Sequence, residues 1–297
     1  MKLRNCGLLV LSALVLPLLA SNAFAGVLGP DLSTMALFGG AGVAINGTGS
    51  VIVGSIGTFP SLAITGVVPT NYTQSGGTSQ AGTGVASNAA AQLGTAINAL
   101  NNTLPQIAEP ASLGTLTLNP GVYSFSADLL LTGALTLNGL GDANAFWIFN
   151  ITGSLTAQTG SSVHVINAGP GAGLYWNEGG SATINSLGGF EGNVLAHTAI
   201  TVGTNVTDLC GRMLALTASV TLAGNDNIGV GCAGLTASEG GGSNAFNGGQ
   251  IVTLGGVPSV IPTTPTPEPQ SVAFLLLGFC GIGGVAIRRV RARSTEA

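Results

Sequence analysis

Residues 217–225 read TASVTLAGN: Thr217, Ser219 and Thr221 alternate with Ala218, Val220 and Leu222, and no charge interrupts them. Successive side chains of a β-strand point to opposite faces, so this stretch predicts a strand with one neutral, hydroxylic face and one apolar face. Gly224 and Asn225 then supply the residue types that tolerate the positive φ of a tight corner.

Working outward, the same small, apolar, threonine, apolar tetrad recurs upstream. It is found at Ala134-Leu135-Thr136-Leu137, Ser154-Leu155-Thr156-Ala157, Ser181-Ala182-Thr183-Ile184, Ala199-Ile200-Thr201-Val202 and Ser219-Val220-Thr221-Leu222. Its threonines are separated by 20, 27, 18 and 20 residues. Periods near twenty predict a solenoid, in which each unit buries its apolar side only once neighbours stack on it. A second echo, Phe190-Glu191-Gly192-Asn193-Val194-Leu195-Ala196 against Leu209-Cys210-Gly211-Arg212-Met213-Leu214-Ala215, is offset by 19. A β-sandwich of short strands is the alternative architecture.

One segment breaks the strand pattern. From about Ser79 to Leu104 the chain is rich in Ala and Gln, and Leu93, Ile97, Leu100 and Leu104 fall on one stripe of a helix that Pro105 ends. The spacing predicts a helix over about 85–104, laid along the solenoid.

Both ends of the chain read as targeting segments. Lys2 and Arg4, an apolar run to Ala20 and the Ala23-Phe24-Ala25 triplet predict a secretory signal over 1–25. At the other end a Pro- and Thr-rich stretch precedes the apolar run Ser271 to Ile287 and Arg288, Arg289, Arg291 and Arg293. This predicts a membrane span whose basic end stays in the cytoplasm. Pro267-Glu268-Pro269 directly before it looks like the PEP-CTERM sorting signal of Gram-negative exopolysaccharide producers. That resemblance implies handling by an exosortase-type enzyme, transient anchoring in the inner membrane, and a secreted or cell-surface destination. An ordinary tail anchor is the alternative. The expected domains are therefore 1–25 signal, 26–233 β-helical domain, 234–267 flexible linker and 268–297 sorting tail.

Between the end segments, Asp31, Glu109, Asp128, Asp142, Glu178, Glu191, Asp208, Asp226 and Glu239 face a single base, Arg212, so 9 acids less 1 base leave a net charge of −8. Nucleic acid is disfavoured as a partner, because phosphate binding needs clustered Lys and Arg. Two of the four cysteines, Cys6 and Cys280, lie in the end segments. The remaining pair, Cys210 and Cys232, predicts one disulfide in an oxidising compartment. No spacing resembles a metal site, and no cofactor motif is present.

From Thr48 to Val230 the order of features resembles the ice-binding protein-like family of secreted microbial β-solenoids. The carriers are Ile64-Thr65-Gly66, the helix, Leu118-Asn119-Pro120-Gly121-Val122-Tyr123, the run from Leu135 to Phe149, Gly192-Asn193-Val194-Leu195-Ala196 and Gly211-Arg212-Met213-Leu214-Ala215. The resemblance implies an all-β solenoid, a discontinuous right-handed β-helix of triangular section with one long α-helix packed alongside. Coils need not stack in chain order in this family.

Neighbouring strands lie about 4.8 Å apart, so stacked threonines repeat at close to the spacing of oxygen rows in ice. On that logic ice or ordered water is the expected partner. The expected ice-binding positions are Thr132, Ala134 and Thr136; Thr152, Ser154 and Thr156; Ser181 and Thr183; Ala199 and Thr201; and Thr217, Ser219 and Thr221. His197 falls where other repeats have Thr or Gly and interrupts the array. An enzyme needs paired carboxylates or a base with a cation, and the supply is thin, with Glu178, Glu191, Asp208, Asp226, Arg212, His164 and His197 as the candidates. Glu191 and Arg212, one position apart in the echo, are expected to pair structurally, and His164 to sit on a surface strand. Tyr175-Trp176-Asn177 is a candidate sugar-stacking platform, although the resemblance implies core. The alternative function is an extracellular matrix or adhesion protein associated with exopolysaccharide, without ice activity.

Overall fold

The computed structural model describes residues 26–104, 106–109, 111–185, 188–232, 245–254 and 256–261. The expected signal segment, the Pro267-Glu268-Pro269 motif and the apolar run with its arginines lie outside them.

Three walls of parallel strands enclose one apolar core. In the first wall nine strands lie in the order Ser79–Ala81, Ser55–Thr58, Met35–Gly39, Gly211–Ala215, Gly192–Ala196, Gly173–Glu178, Phe146–Ile151, Gly121–Phe125 and Ile107–Ala108. Eight strands form the second: Ile64–Thr65, Gly42–Ile45, Ser219–Leu222, Ile200–Val202, Ala182–Ile184, Leu155–Ala157, Leu129–Leu131 and Ser112–Leu113. The third is divided into one sheet of Thr207–Asp208, Asn227–Gly229, Ser50–Val53 and Tyr72–Ser75, and another of Leu116–Leu118, Ala134–Asn138 and Ser162–Ile166. Within these sheets the pairing is parallel, unlike the antiparallel ladders of a sandwich.

The strands do not stack in chain order. Met35–Gly39 lies between Ser55–Thr58 and Gly211–Ala215, with Leu37 opposite Met213. The chain thus starts in mid-stack and builds one end. It then returns along the helix Gly84–Asn101 and builds from the opposite end back to the start. An 18-residue helix is about 27 Å long, most of the roughly 38 Å that eight strand spacings cover. The echo of residues 190–196 in 209–215 is a true register, since Gly192 pairs with Gly211 and Ala196 with Ala215.

Inside the walls, Phe149 stacks on Trp176 with ring centroids 4.1 Å apart, flanked by Tyr123 at 5.4 Å and Phe190 at 5.4 Å. Tyr175, Trp176 and Asn177 are all buried, and Trp176 Nε1 donates to the Glu191 carbonyl at 3.0 Å. The trio therefore presents no platform to a sugar. The outer face of the first wall is covered as well: Phe38, Leu195, Leu214, Ile148 and Val122 pack against Ala89, Leu93, Ala96, Ile97 and Leu100 of the helix.

Thr83 caps that helix, its Oγ1 accepting from Ala86 N at 3.2 Å. The helix ends at Asn101, three residues before the expected end, and Leu104, the last member of the expected stripe, is 77% exposed. The residue before a proline is pushed out of helical backbone, which bars Leu104 from the turn its spacing suggested.

The stretch expected as a loose linker also holds structure. Ala245 and Phe246 are buried, and Gln250–Leu254 pairs antiparallel with Val257–Ile261. Val260 joins the helix cluster, and its N–H donates to Thr103 Oγ1 at 3.3 Å. Phe246 and Val260 offer apolar surface to bury, a signal masked in the sequence by the surrounding Gly and Ser. Cys210 and Cys232 are joined in a disulfide. Among the described residues no helix is long and apolar enough to cross a membrane.

Candidate functional site

The helix covers the first wall and leaves the outer face of the second uncovered. Along its strands Val220, Leu222, Ile200, Val202, Ala182, Ile184, Leu155 and Ala157 point inward and are buried. The residues between them face outward by the two-residue period of a strand. Direct register aligns Thr156 with Thr183, Thr183 with Thr201, and Thr201 with Thr221. Four threonines therefore stand in one straight row, at intervals of about 4.8 Å. The row continues through Ala44 and Thr65 on one side and through Leu130 and Ser112 on the other. None of these eight positions is charged. Among the described residues the hydroxyls of Thr156, Thr183, Thr201 and Thr221 make no hydrogen bond to protein, which leaves them to solvent.

Two residues earlier on each strand, Ser154, Ser181, Ala199 and Ser219 form a parallel border. Ser181 N donates to Ser154 Oγ at 3.1 Å, and the two hydroxyls lie 3.3 Å apart. Ser154 N in turn donates to Asp128 Oδ1 at 2.8 Å. The border is thus partly spent on internal bonds, whereas the central row is not.

Five of the expected positions sit elsewhere. Ala134 and Thr136 belong to the third wall, where Thr136 pairs with Thr117 and His164. Their tetrad has the same local pattern, but the strand that enters the open wall from that part of the chain is Leu129–Leu131, with Leu130 outward. Thr132 lies at the corner between these two strands, its N–H donating to the Leu113 carbonyl at 3.0 Å. Thr152 lies at the opposite corner and lines a recess beside the helix end. Thr217, at the same corner, donates from Oγ1 to the His197 carbonyl at 2.6 Å. His197 itself is stacked there between Thr217 and Glu178 through backbone bonds, so it borders the row and does not interrupt it. Ala44 and Leu130 were hidden in the sequence because their tetrads lack threonine. Thr65 was visible in Ile64-Thr65-Gly66, without any sign of its wall.

The ionisable groups lie mostly inside. Glu178 points into the apolar core beside Ile151 and Ala196, both carboxyl oxygens without a partner among the described residues, and burial pushes its pKa well above its ordinary value. Asp208 is raised likewise, by burial first and then by Glu191. Asp226 is raised by burial against the opposing N–H groups of Val206 and Gly224, which donate to it at 3.0 Å each. Arg212 is 2% exposed and is lowered by burial to about 10. It bonds Asn193 Oδ1 at 2.7 Å and the carbonyls of Ser33 and Ala245. Glu191 instead accepts from Val165 N at 2.9 Å and lies 3.7 Å from the exposed His164, so the expected Glu191–Arg212 pair does not form. The strand register explains this, since Arg212 stands opposite Asn193. Among the described residues no three of His, Cys, Asp and Glu gather as a metal cluster.

The Ice-binding-like family model matches residues 37–228. The chain belongs to the Ice-binding-like family. Within it, an ice-binding protein of Nostoc sp. (strain HG1) is 39% identical over 191 residues, which cover 64% of this chain and 69% of the relative. Ice-binding protein 1 of Shewanella frigidimarina (strain NCIMB 400) is 42% identical over 120 residues, 39% of this chain and 13% of that longer protein. The crystal structure of an ice-binding protein from the Antarctic ascomycete Antarctomyces psychrotrophicus superposes with a TM-score of 0.62 at 30% identity, covering 70% of this chain and 98% of the other. The matched Ice-binding-like region contains the whole Thr156, Thr183, Thr201 and Thr221 row.

Proposed function

We propose that this protein binds ice through the open second wall, with the row Thr156, Thr183, Thr201 and Thr221 at its centre and Ser154, Ser181, Ala199 and Ser219 along its border. The observation that carries the reading is the direct register of four threonines whose hydroxyls are unspent. A straight row repeating at about the strand spacing orders water laterally, the methyls keep competing water loosely held, and the absence of charge avoids a tightly bound hydration shell of the wrong geometry. Ice-binding relatives support the same reading. The activity needs no covalent chemistry, and the buried settings of Glu178, Asp208 and Arg212 suit structural roles. The deciding experiment replaces Thr183 or Thr201 with Tyr. Thermal hysteresis is expected to vanish while the circular dichroism spectrum stays unchanged, and retained hysteresis would move the site to another wall.

The three walls are read as coils of a discontinuous right-handed β-helix, supported by the strand orders and by the likeness to ice-binding structures. The ends of the chain support export through the signal at 1–25 and membrane holding, then release, at the Pro267-Glu268-Pro269 tail. Mass spectrometry of the extracellular form is expected to find neither Met1 to Ala25 nor the terminal arginines. If the protein neither shapes ice nor slows its recrystallisation, the matrix or adhesion reading takes its place.

A further inference from the structure

Beside the C-terminal end of the helix a recess of about 480 Å³ opens where the first wall turns toward the second. The strand ends at Phe125 and Ile151, whose side chains turn inward into the core, form its floor, and its rim is polar and uncharged, carrying Asn101, Gln106, Ser126 and Thr152.

The rim is held in place from behind. Asn177, buried in the first wall, donates from Nδ2 to Asn101 Oδ1 at 2.8 Å and to Asn150 Oδ1 at 2.9 Å. Asn150 Nδ2 in turn donates to the Leu100 carbonyl at 2.9 Å, closing the last turn of the helix. With its oxygen engaged, Asn101 offers its own Nδ2 as a free donor. Gln106 spends Nε2 on the carbonyls of Asn101 and Thr103 and offers Oε1 as a free acceptor. Exposed hydroxyls of Ser126 and Thr152, which can give or accept, complete the set.

A fixed donor, a fixed acceptor and two adaptable hydroxyls, with no charge among the described lining residues, match a neutral polyhydroxyl ligand. Each hydroxyl of a neutral sugar donates and accepts, so it can meet every one of these groups. An anion would find no cation here, and a cation no carboxylate. The volume lies within the range of small-molecule sites. We propose that this recess is a binding subsite for a neutral oligosaccharide, distinct from the threonine row, with Asn101 and Gln106 as the orienting contacts and Asn177 as the residue that positions Asn101.

The test titrates the full-length chain, in a detergent without a sugar headgroup, with neutral gluco-, manno- and galacto-configured trisaccharides and with trigalacturonate as the charged comparator. Amide resonances of Asn101, Gln106, Ser126 and Thr152 are expected to shift saturably with at least one neutral trisaccharide and about tenfold more weakly with trigalacturonate. Asn101→Ala and Gln106→Ala sit at exposed positions that tolerate truncation, and each is expected to weaken binding about tenfold through loss of a directed hydrogen bond. Thermal hysteresis is expected to be unchanged in both. The proposal is overturned if none of the three neutral trisaccharides shifts these resonances, if the shifts fall on the threonine row, if trigalacturonate binds as well, or if both variants bind like the parent.

Discussion

Glu178 gives the stability of the molecule a pH dependence. Among the described residues both of its oxygens lack partners in the apolar core, and burial raises its pKa in the folded chain, favouring the bound proton. The unfolded carboxyl, with a pKa of about 4.3, has released it by neutral pH. Below about pH 4 both states are protonated and no linkage remains; as pH rises from there toward the elevated folded value, folding must take up a proton and stability falls. Glu178→Met, which keeps the volume and removes the carboxyl, is expected to stabilise the fold by about 1–3 kcal/mol at pH 8, and by less at pH 4. Thermal melts at the two pH values measure this, and equal gains would show that the carboxyl is charged in the folded state. Arg212 is the opposite case, a buried charge whose three nitrogens all donate to neutral acceptors. Arg212→Met strands Asn193 Oδ1 and the Ser33 carbonyl without donors, while the Ala245 carbonyl keeps Asn193 Nδ2, and a loss of about 3 kcal/mol in denaturant titration is expected.

At the scale of elements, the helix covers the outer face of the first wall, and its contribution is apolar burial. Leu93→Ala is expected to cost about 2–5 kcal/mol, because Leu93 is fully enclosed. Leu104→Ser, although on the same apparent stripe, is expected to stay within about 0.5 kcal/mol of the parent. Chemical denaturation of the two variants distinguishes a stripe that ends at Leu100 from one that runs to Leu104. The same contrast shows what was legible before the structure. Alternation told which residues of each tetrad face outward, and Thr156, Thr183, Thr201 and Thr221 were found by it. Alternation does not say which wall a strand joins, since an identical pattern serves every wall of such a stack. Thr136 was therefore placed beside Thr156, when the residue opposite Thr156 is Leu130. The register of Gly192 with Gly211 was readable because the echo there extends over seven residues. The hairpin Gln250–Leu254 and Val257–Ile261 was not, because its few apolar residues are set among Gly, Ser and Thr.

For the molecule as a whole, the disulfide between Cys210 and Cys232 ties the last strands of the first wall to the chain beyond the third. Closing a loop of 22 residues is worth about 3 kcal/mol, so reduction is expected to lower the melting temperature without changing the circular dichroism at low temperature. The out-of-order stack sets a condition on time as well as on space. A ribosome or an export channel delivers Met35–Gly39 early, yet its neighbour Gly211–Ala215 comes near the end, and Arg212 reaches back across 179 residues to the Ser33 carbonyl. Such long-range pairing is slow to form. A nascent chain ending after Asp208 is expected to show no cooperative unfolding transition, whereas one ending after Ile261 should. Synthesis of this protein is therefore a long wait on one side: Met35–Gly39 meets Ser55–Thr58 early, but its other edge stays unpaired until Gly211–Ala215 is delivered, and the wall cannot close before then.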